Sequence, residues 1–136
     1  MKTRQDIFNI VYKHAMQMTA KCYVASRTAL TPGNGCRYRD GTGNKCFVGA
    51  LIADEDYNVC FDQDSMTPEF AFGLRTNLSD GIATKFIGFL NALRDISTDD
   101  LKWLQFLQQV HDSHELFEYK DKLVEFAAKY SLQVPK

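Results

Sequence analysis

Residues able to do chemistry are densest between Cys36 and Tyr57. This stretch holds two cysteines (Cys36 and Cys46), three bases (Arg37, Arg39 and Lys45), a glycine-rich turn and the acidic triplet Asp54-Glu55-Asp56. Two thiols plus two imidazoles would suit zinc, and His111 and His114 lie three apart on a predicted helix, hence on one face. The nine residues between Cys36 and Cys46 are not a zinc-knuckle spacing, and no pattern brings the helix to the thiols. Cysteine is often buried simply as a small hydrophobe. Structural thiols are therefore the reading preferred here, and no metal or other cofactor is expected. Cys46 also stands beside Lys45 near a predicted helix start, where a thiol's pKa can fall and make it a nucleophile. No histidine pairs with it by spacing.

Other catalytic patterns are weaker. In His111-Asp112-Ser113-His114-Glu115, neighbouring side chains on a helix point about 100° apart. The run is read as a polar helix end whose histidines face carbonyl dipoles. No serine sits in a Gly-x-Ser-x-Gly elbow. Gly41-x-Gly43 reads as a turn, because the pattern that opens a phosphate-binding helix is missing.

Charge carries more information. The chain has 16 Lys+Arg against 17 Asp+Glu, a formal net charge of -1, whereas dedicated nucleic-acid binders are usually basic. The charge is uneven. Residues 21–45 hold Lys21, Arg27, Arg37, Arg39 and Lys45 against Asp40 alone, and residues 53–69 hold six acids and no base. On an extended chain Arg37 and Arg39 share one face and Tyr38 takes the other. The two arginines can meet phosphates or an acidic partner. They can equally close ion pairs with Asp54, Glu55 or Asp56, the preferred reading.

These residues need elements to position them. At 136 residues with 45% hydrophobic content, the chain is read as one domain, 1–136, with a real core. Thr3-Arg4-Gln5-Asp6 is a capping-box pattern, and a helix is predicted over about 4–26. Thr31-Pro32-Gly33-Asn34-Gly35 breaks the chain. A small β-hairpin is then expected, turning at Asp40-Gly41-Thr42-Gly43-Asn44 and leading into a short helix at about 47–53. Residues 54–79 read as irregular, with a helical turn at 67–72 that has Thr67 as N-cap and Pro68 first. Helices follow at about 80–94, capped by Ser79 or Asp80, at 98–113 behind Ser97, and at 115–130. The fold expected is a mainly α (α+β) single-domain helical bundle with a hairpin inserted after the first helix. The N-terminus shows no signal-peptide pattern and no run is long enough to span a membrane, so a cytoplasmic protein is expected.

The pattern Cys36-x-Tyr38-Arg39, then Gly43-x-Lys45-Cys46-x-x-Gly49-x-Leu51-Ile52-x-Asp54-x-x-Tyr57, resembles a family of small uncharacterised tailed-phage and prophage proteins. The resemblance covers residues 36–57, with the remainder matching only as a helical frame. Many members have proline where Ala53 stands here. The resemblance implies a phage-derived protein acting in bacterial host cytoplasm, and it singles out Arg39–Asp54 as the buried ion pair. The leading expectation is an accessory protein that binds a host or phage protein, with modulation of host machinery or defence as the role this would serve. Its working surface would be Arg37, Tyr38, Arg39, Lys45, Asp54, Glu55, Asp56 and Tyr57, with Phe61 and Phe70 as further exposed aromatics. Two alternatives stand beside it: a small hydrolase or transferase using Cys46 or Asp54/Glu55, and nucleic-acid binding through Arg37, Arg39, Lys45 and Lys21.

Overall fold

A computed structural model describes residues 1–22, 37–41, 43–63, 66–76 and 84–136. Six α-helices occur among them: α1 (Arg4–Gln17), α2 (Cys60–Gln63), α3 (Pro68–Thr76), α4 (Thr84–Ala92), α5 (Thr98–Ser113) and α6 (Tyr119–Lys129). Single turns of 3-10 helix lie at Gly49–Leu51, Asp54–Asp56 and Leu116–Glu118.

The start of α1 follows from its capping box. The Thr3 hydroxyl accepts from the Asp6 amide and the Asp6 carboxylate accepts from the Thr3 amide, so two otherwise unpaired N–H groups are satisfied. The helix buries Ile7, Phe8, Val11, Tyr12 and Ala15. It ends at Gln17, earlier than the periodicity suggests, with Met18 already extended. Leaving the helix lets Lys21 reach the end of α5, where its ammonium donates to the carbonyls of Asp112 and His114. These carbonyls have no partner within the helix. Cys22, also past the helix end, is buried and its thiol donates to the carbonyls of Arg37 and Asn44.

α5 is the central element. Ser97 caps it, accepting from the Asp100 amide, and its span matches the expected 98–113. It buries Leu101, Trp103, Leu104, Leu107, Gln108 and His111, whereas Phe106 is half-exposed. Each of the buried leucines contributes roughly 1.5–3 kcal/mol. α3 packs along α5, and α6 packs on both α5 and α1. Phe126 of α6 stacks on Phe8 at 6.3 Å. α3 begins with Thr67 accepting from the Phe70 amide and continues well beyond one turn. At its end Arg75 donates to the carbonyls of Leu93 and Ile96, which closes the chain after α4. The proposed caps Ser79 and Asp80 lie outside the described residues, as does the break at Thr31–Gly35. No helix among the described residues is long and apolar enough to cross a membrane.

The expected β-hairpin does not form. Among the described residues there is no strand, only one isolated antiparallel bridge between Arg39 and Lys45. The cause lies in competition for the backbone groups that would extend the ladder. Cys46 does donate to the Tyr38 carbonyl, at 3.2 Å. The Tyr38 amide, however, is taken by the Asp62 carboxylate at 2.7 Å, and the Cys46 carbonyl accepts from Ala50 as the chain turns. The short helix expected at about 47–53 is present as a 3-10 turn at Gly49–Leu51, shorter than expected. Gly49 is required there: a Cβ would lie 2.2 Å from the Tyr38 carbonyl oxygen.

Candidate binding cleft

The bridge and its turn form one wall of a cleft of about 720 Å³. Arg37, Arg39 and Lys45 line it with Asp40, Asn44, Asp54, Tyr57 and the two glycines of the turn. Gly41 and Gly43 have φ of 83° and 94°, a left-handed backbone that disfavours other residues. The turn is held by Asp40, whose carboxylate accepts from both the amide and the side chain of Asn44. Tyr38 is buried, stacked near Phe89, while Arg37 and Arg39 both face the cleft, so the alternation of faces survives without a strand.

Arg39 is fixed on three sides. It donates to the Ile52 carbonyl at 2.8 Å, pairs with Asp54 at 2.9 Å and lies over the Tyr57 ring at 4.7 Å. Lys45 shares the same Asp54 oxygen at 3.2 Å. The expected Arg39–Asp54 pair thus exists, but it is buried on one side only, since the Asp54 side chain is 77% exposed. The Lys45 hydrogen bond and charge, then Arg39, hold the Asp54 carboxyl below its usual range. Arg37 has no ion pair or side-chain hydrogen bond among the described residues. The Nε atoms of Arg37 and Arg39 are both buried without a partner.

Asp62 forms the support behind this wall. One oxygen accepts from the Tyr38 amide and the other from the Tyr57 hydroxyl, which orients the ring beneath Arg39. Burial and then the Asp62 bond push the Tyr57 phenol far above its ordinary value. Asp62 was not singled out from sequence, nor was His14, whose Nε2 meets the Lys45 carbonyl at 2.8 Å. Nothing local marks these contacts, because their partners stand 24 and 31 residues away.

The other candidates scatter. Asp56 turns toward the end of α4 and pairs with Arg94 at 2.6 Å, and Glu55 is exposed. Phe61, expected at the surface, is buried against Phe89, whereas Phe70 is exposed. Lys21 is tied to the end of α5 rather than joining Arg37 and Arg39. Cys46 is fully enclosed, its sulfur accepting from the Gly49 amide. Burial pushes its thiol up, away from a reactive thiolate. Cys36 lies outside the described residues, and no metal-ligating group of three or more His, Cys, Asp or Glu occurs among the described ones.

His111 and Asp112 do meet, contrary to the helical-wheel expectation: His111 Nδ1 lies 2.9 Å from the Asp112 carboxylate. The contact is structural. The His111 ring is enclosed between Phe47 and Tyr119. Asp112 also accepts from Gln108, whose own carbonyl oxygen accepts from the buried Val48 amide at 2.9 Å. That relay fastens the residues behind the cleft to α5. His114 instead approaches Glu118, at 3.6 Å. No family model matches the chain, and no curated protein and no solved structure matches it, so the cleft is read from its own geometry.

Proposed function

We propose that the chain is a protein-binding module, set in the phage or prophage context suggested by its sequence pattern and acting in host cytoplasm. Its cleft takes an anionic group presented by a partner protein. The observation that carries this reading is Arg37: a cation on the cleft wall with no ion pair or side-chain hydrogen bond among the described residues. An arriving oxyanion gives this guanidinium a charge-assisted partner, which makes Arg37 a binding group rather than a fold-holding one. Arg39 does both, because it also braces Ile52 and Tyr57.

The test is capture from a bacterial lysate by wild type and by Arg37→Glu and Lys45→Glu, each first checked for an unchanged thermal transition. The expected result is loss of a wild-type partner from both variants. Recovery of the same partners by all three proteins refutes the cleft as the working surface. Partners released by nuclease would move the reading to nucleic acid.

A further inference from the structure

We infer that α6 pairs antiparallel with α6 of a second copy of this chain, through Glu118, Lys122, Glu125 and Lys129, and that the pairing covers the groove between α5 and α6.

Residues spaced four, three and four apart lie in one stripe along a helix. From Glu118, the residue before α6, such steps pass through Lys122 and Glu125 to Lys129. The charges along the stripe alternate: acid, base, acid, base. Read from the other end they run base, acid, base, acid. The stripe is therefore its own complement when two copies lie antiparallel. Lys122 then meets Glu125 of the second copy, and Glu118 meets Lys129 of the second copy. Each contact is made twice, as a two-fold interface requires. Parallel pairing would set like charges against each other, so the charges also fix the direction.

The side chains are available for these contacts. Lys122 and Glu125 are 34% and 68% exposed, and the pair they make with each other, at 3.4 Å, is of the weakly held surface kind. Lys129 is exposed and makes no ion pair among the described residues, lying only near the Tyr130 ring at 5.5 Å. Glu118 is more engaged, since it approaches His114 at 3.6 Å and accepts from the Glu115 amide. The contacts between Lys122 and Glu125 therefore carry more of the pairing than those between Glu118 and Lys129.

Surface charges alone hold two copies together poorly. The stripe, however, borders a groove of about 420 Å³, and Lys129 belongs to both. Phe106 and Val110 of α5 and Phe126 and Tyr130 at the end of α6 line this groove, and Phe106 is half-exposed. The other α5 residues along it, Gln109 and Ser113, carry no charge that would repel a second copy. Apolar surface supplies attraction, and the alternating charges select the partner and the register.

Sedimentation equilibrium of the full chain at pH 7.5 tests the pairing. It compares wild type, Lys122→Glu, Glu125→Lys, an equimolar mixture of these two variants, and the double variant carrying both, each first checked for an unchanged circular dichroism spectrum. Wild type is expected to dimerise reversibly with a Kd in the micromolar range. Each single variant sets like charges together at two contacts and should weaken the dimer about tenfold or more. The mixture should recover wild-type association as a heterodimer, and the double variant as a homodimer, because reversed charges then face their opposites. Phe106→Gln should weaken association about fivefold or more. A wild type that stays monomeric up to about 1 mM overturns the inference. Single variants that dimerise like wild type remove the stripe from the interface. Weakening that neither the mixture nor the double variant rescues overturns the antiparallel register, since mixing cannot repair a loss confined to one chain's own helix. Undiminished association by Phe106→Gln overturns the covering of the groove.

Discussion

Gln108 offers the sharpest test of how the cleft is fastened to the helical frame. Its side chain is nearly buried, with Oε1 accepting from the Val48 amide and Nε2 donating to Asp112, both at 2.9 Å. Gln108→Met keeps length and approximate volume, so packing changes little. The buried Val48 N–H is then left without an acceptor, costing about 1–3 kcal/mol. Asp112 loses less, because its side chain is 34% exposed and water can replace the donor. For a domain of this size each kcal/mol moves Tm by about 3–5 °C, so a drop of about 3–15 °C is expected. Thermal unfolding followed by circular dichroism measures it, and hydrogen exchange of the Val48 amide reports the cause: protected in wild type, fast in the variant. A smaller drop with the Val48 amide still protected would refute the reasoning. Gln108→Glu adds a signed control. The introduced carboxyl keeps the acceptor for Val48 but sits beside Asp112, and burial and like charge raise its folded pKa. Its favourable contribution is therefore present below the unfolded carboxyl pKa of about 4.3 and is lost as pH rises through the folded value. The deficit relative to wild type should grow from pH 4 to pH 7; a deficit independent of pH contradicts the assignment.

Three further outcomes follow from the same contacts. Gly49→Ala places a methyl 2.2 Å from the Tyr38 carbonyl oxygen, on backbone that Asp62 holds, and should destabilise by about 2–4 kcal/mol in urea unfolding; a change below about 0.5 kcal/mol would mean that the chain shifts freely there. In the native protein, alkylation at pH 8 should reach half-buried Cys60 well before enclosed Cys46, whose thiol burial pushes up. Peptide mapping that found Cys46 modified first would reverse this. The Asp6 carboxyl is held below its usual range by the Thr3 amide and hydroxyl. A depressed folded pKa gives stability that is present above the unfolded value and is lost as pH falls through the folded one. Asp6→Asn should therefore be less stable than wild type at neutral pH, with the gap closing in acid. A gap that stays constant down to pH 2 would assign the effect elsewhere.

Elements specified by their own neighbours were legible in sequence. Thr3 with Asp6 and Ser97 with Asp100 mark helix starts through groups three residues apart, and Thr67-Pro68 marks another. The 36–57 stretch was recognisable as the place where charges gather, and Arg39–Asp54 as a pair. Its backbone path was not. Asp-Gly between short apolar runs favours a hairpin locally, but Asp62, 24 residues on, captures the Tyr38 amide that a ladder would need. Phe61 looked like a surface aromatic in an irregular segment, yet its ring fills the space beside Phe89. Neighbours on a helix point about 100° apart, yet His111 Nδ1 meets the Asp112 carboxylate, which Gln108 also engages. The misses at Tyr38 and Phe61 concern contacts decided by distant chain.

The seam between α1 and α6 has a consequence for how the protein is made. Phe8 stacks on Phe126, and the Gln5 side chain exchanges two hydrogen bonds with the backbone of Gln133, 128 residues away. Synthesis runs from the N-terminus, so the part of the α1 face that meets α6 stays uncovered until residues 119–129 have been made, although the segment at Gly49–Leu51 can pack on α1 earlier. Closure of this seam must wait for α6 to emerge. A stalled chain released just before Tyr119 would display Phe8 to quality control, whereas one released after Gln133 could hide it.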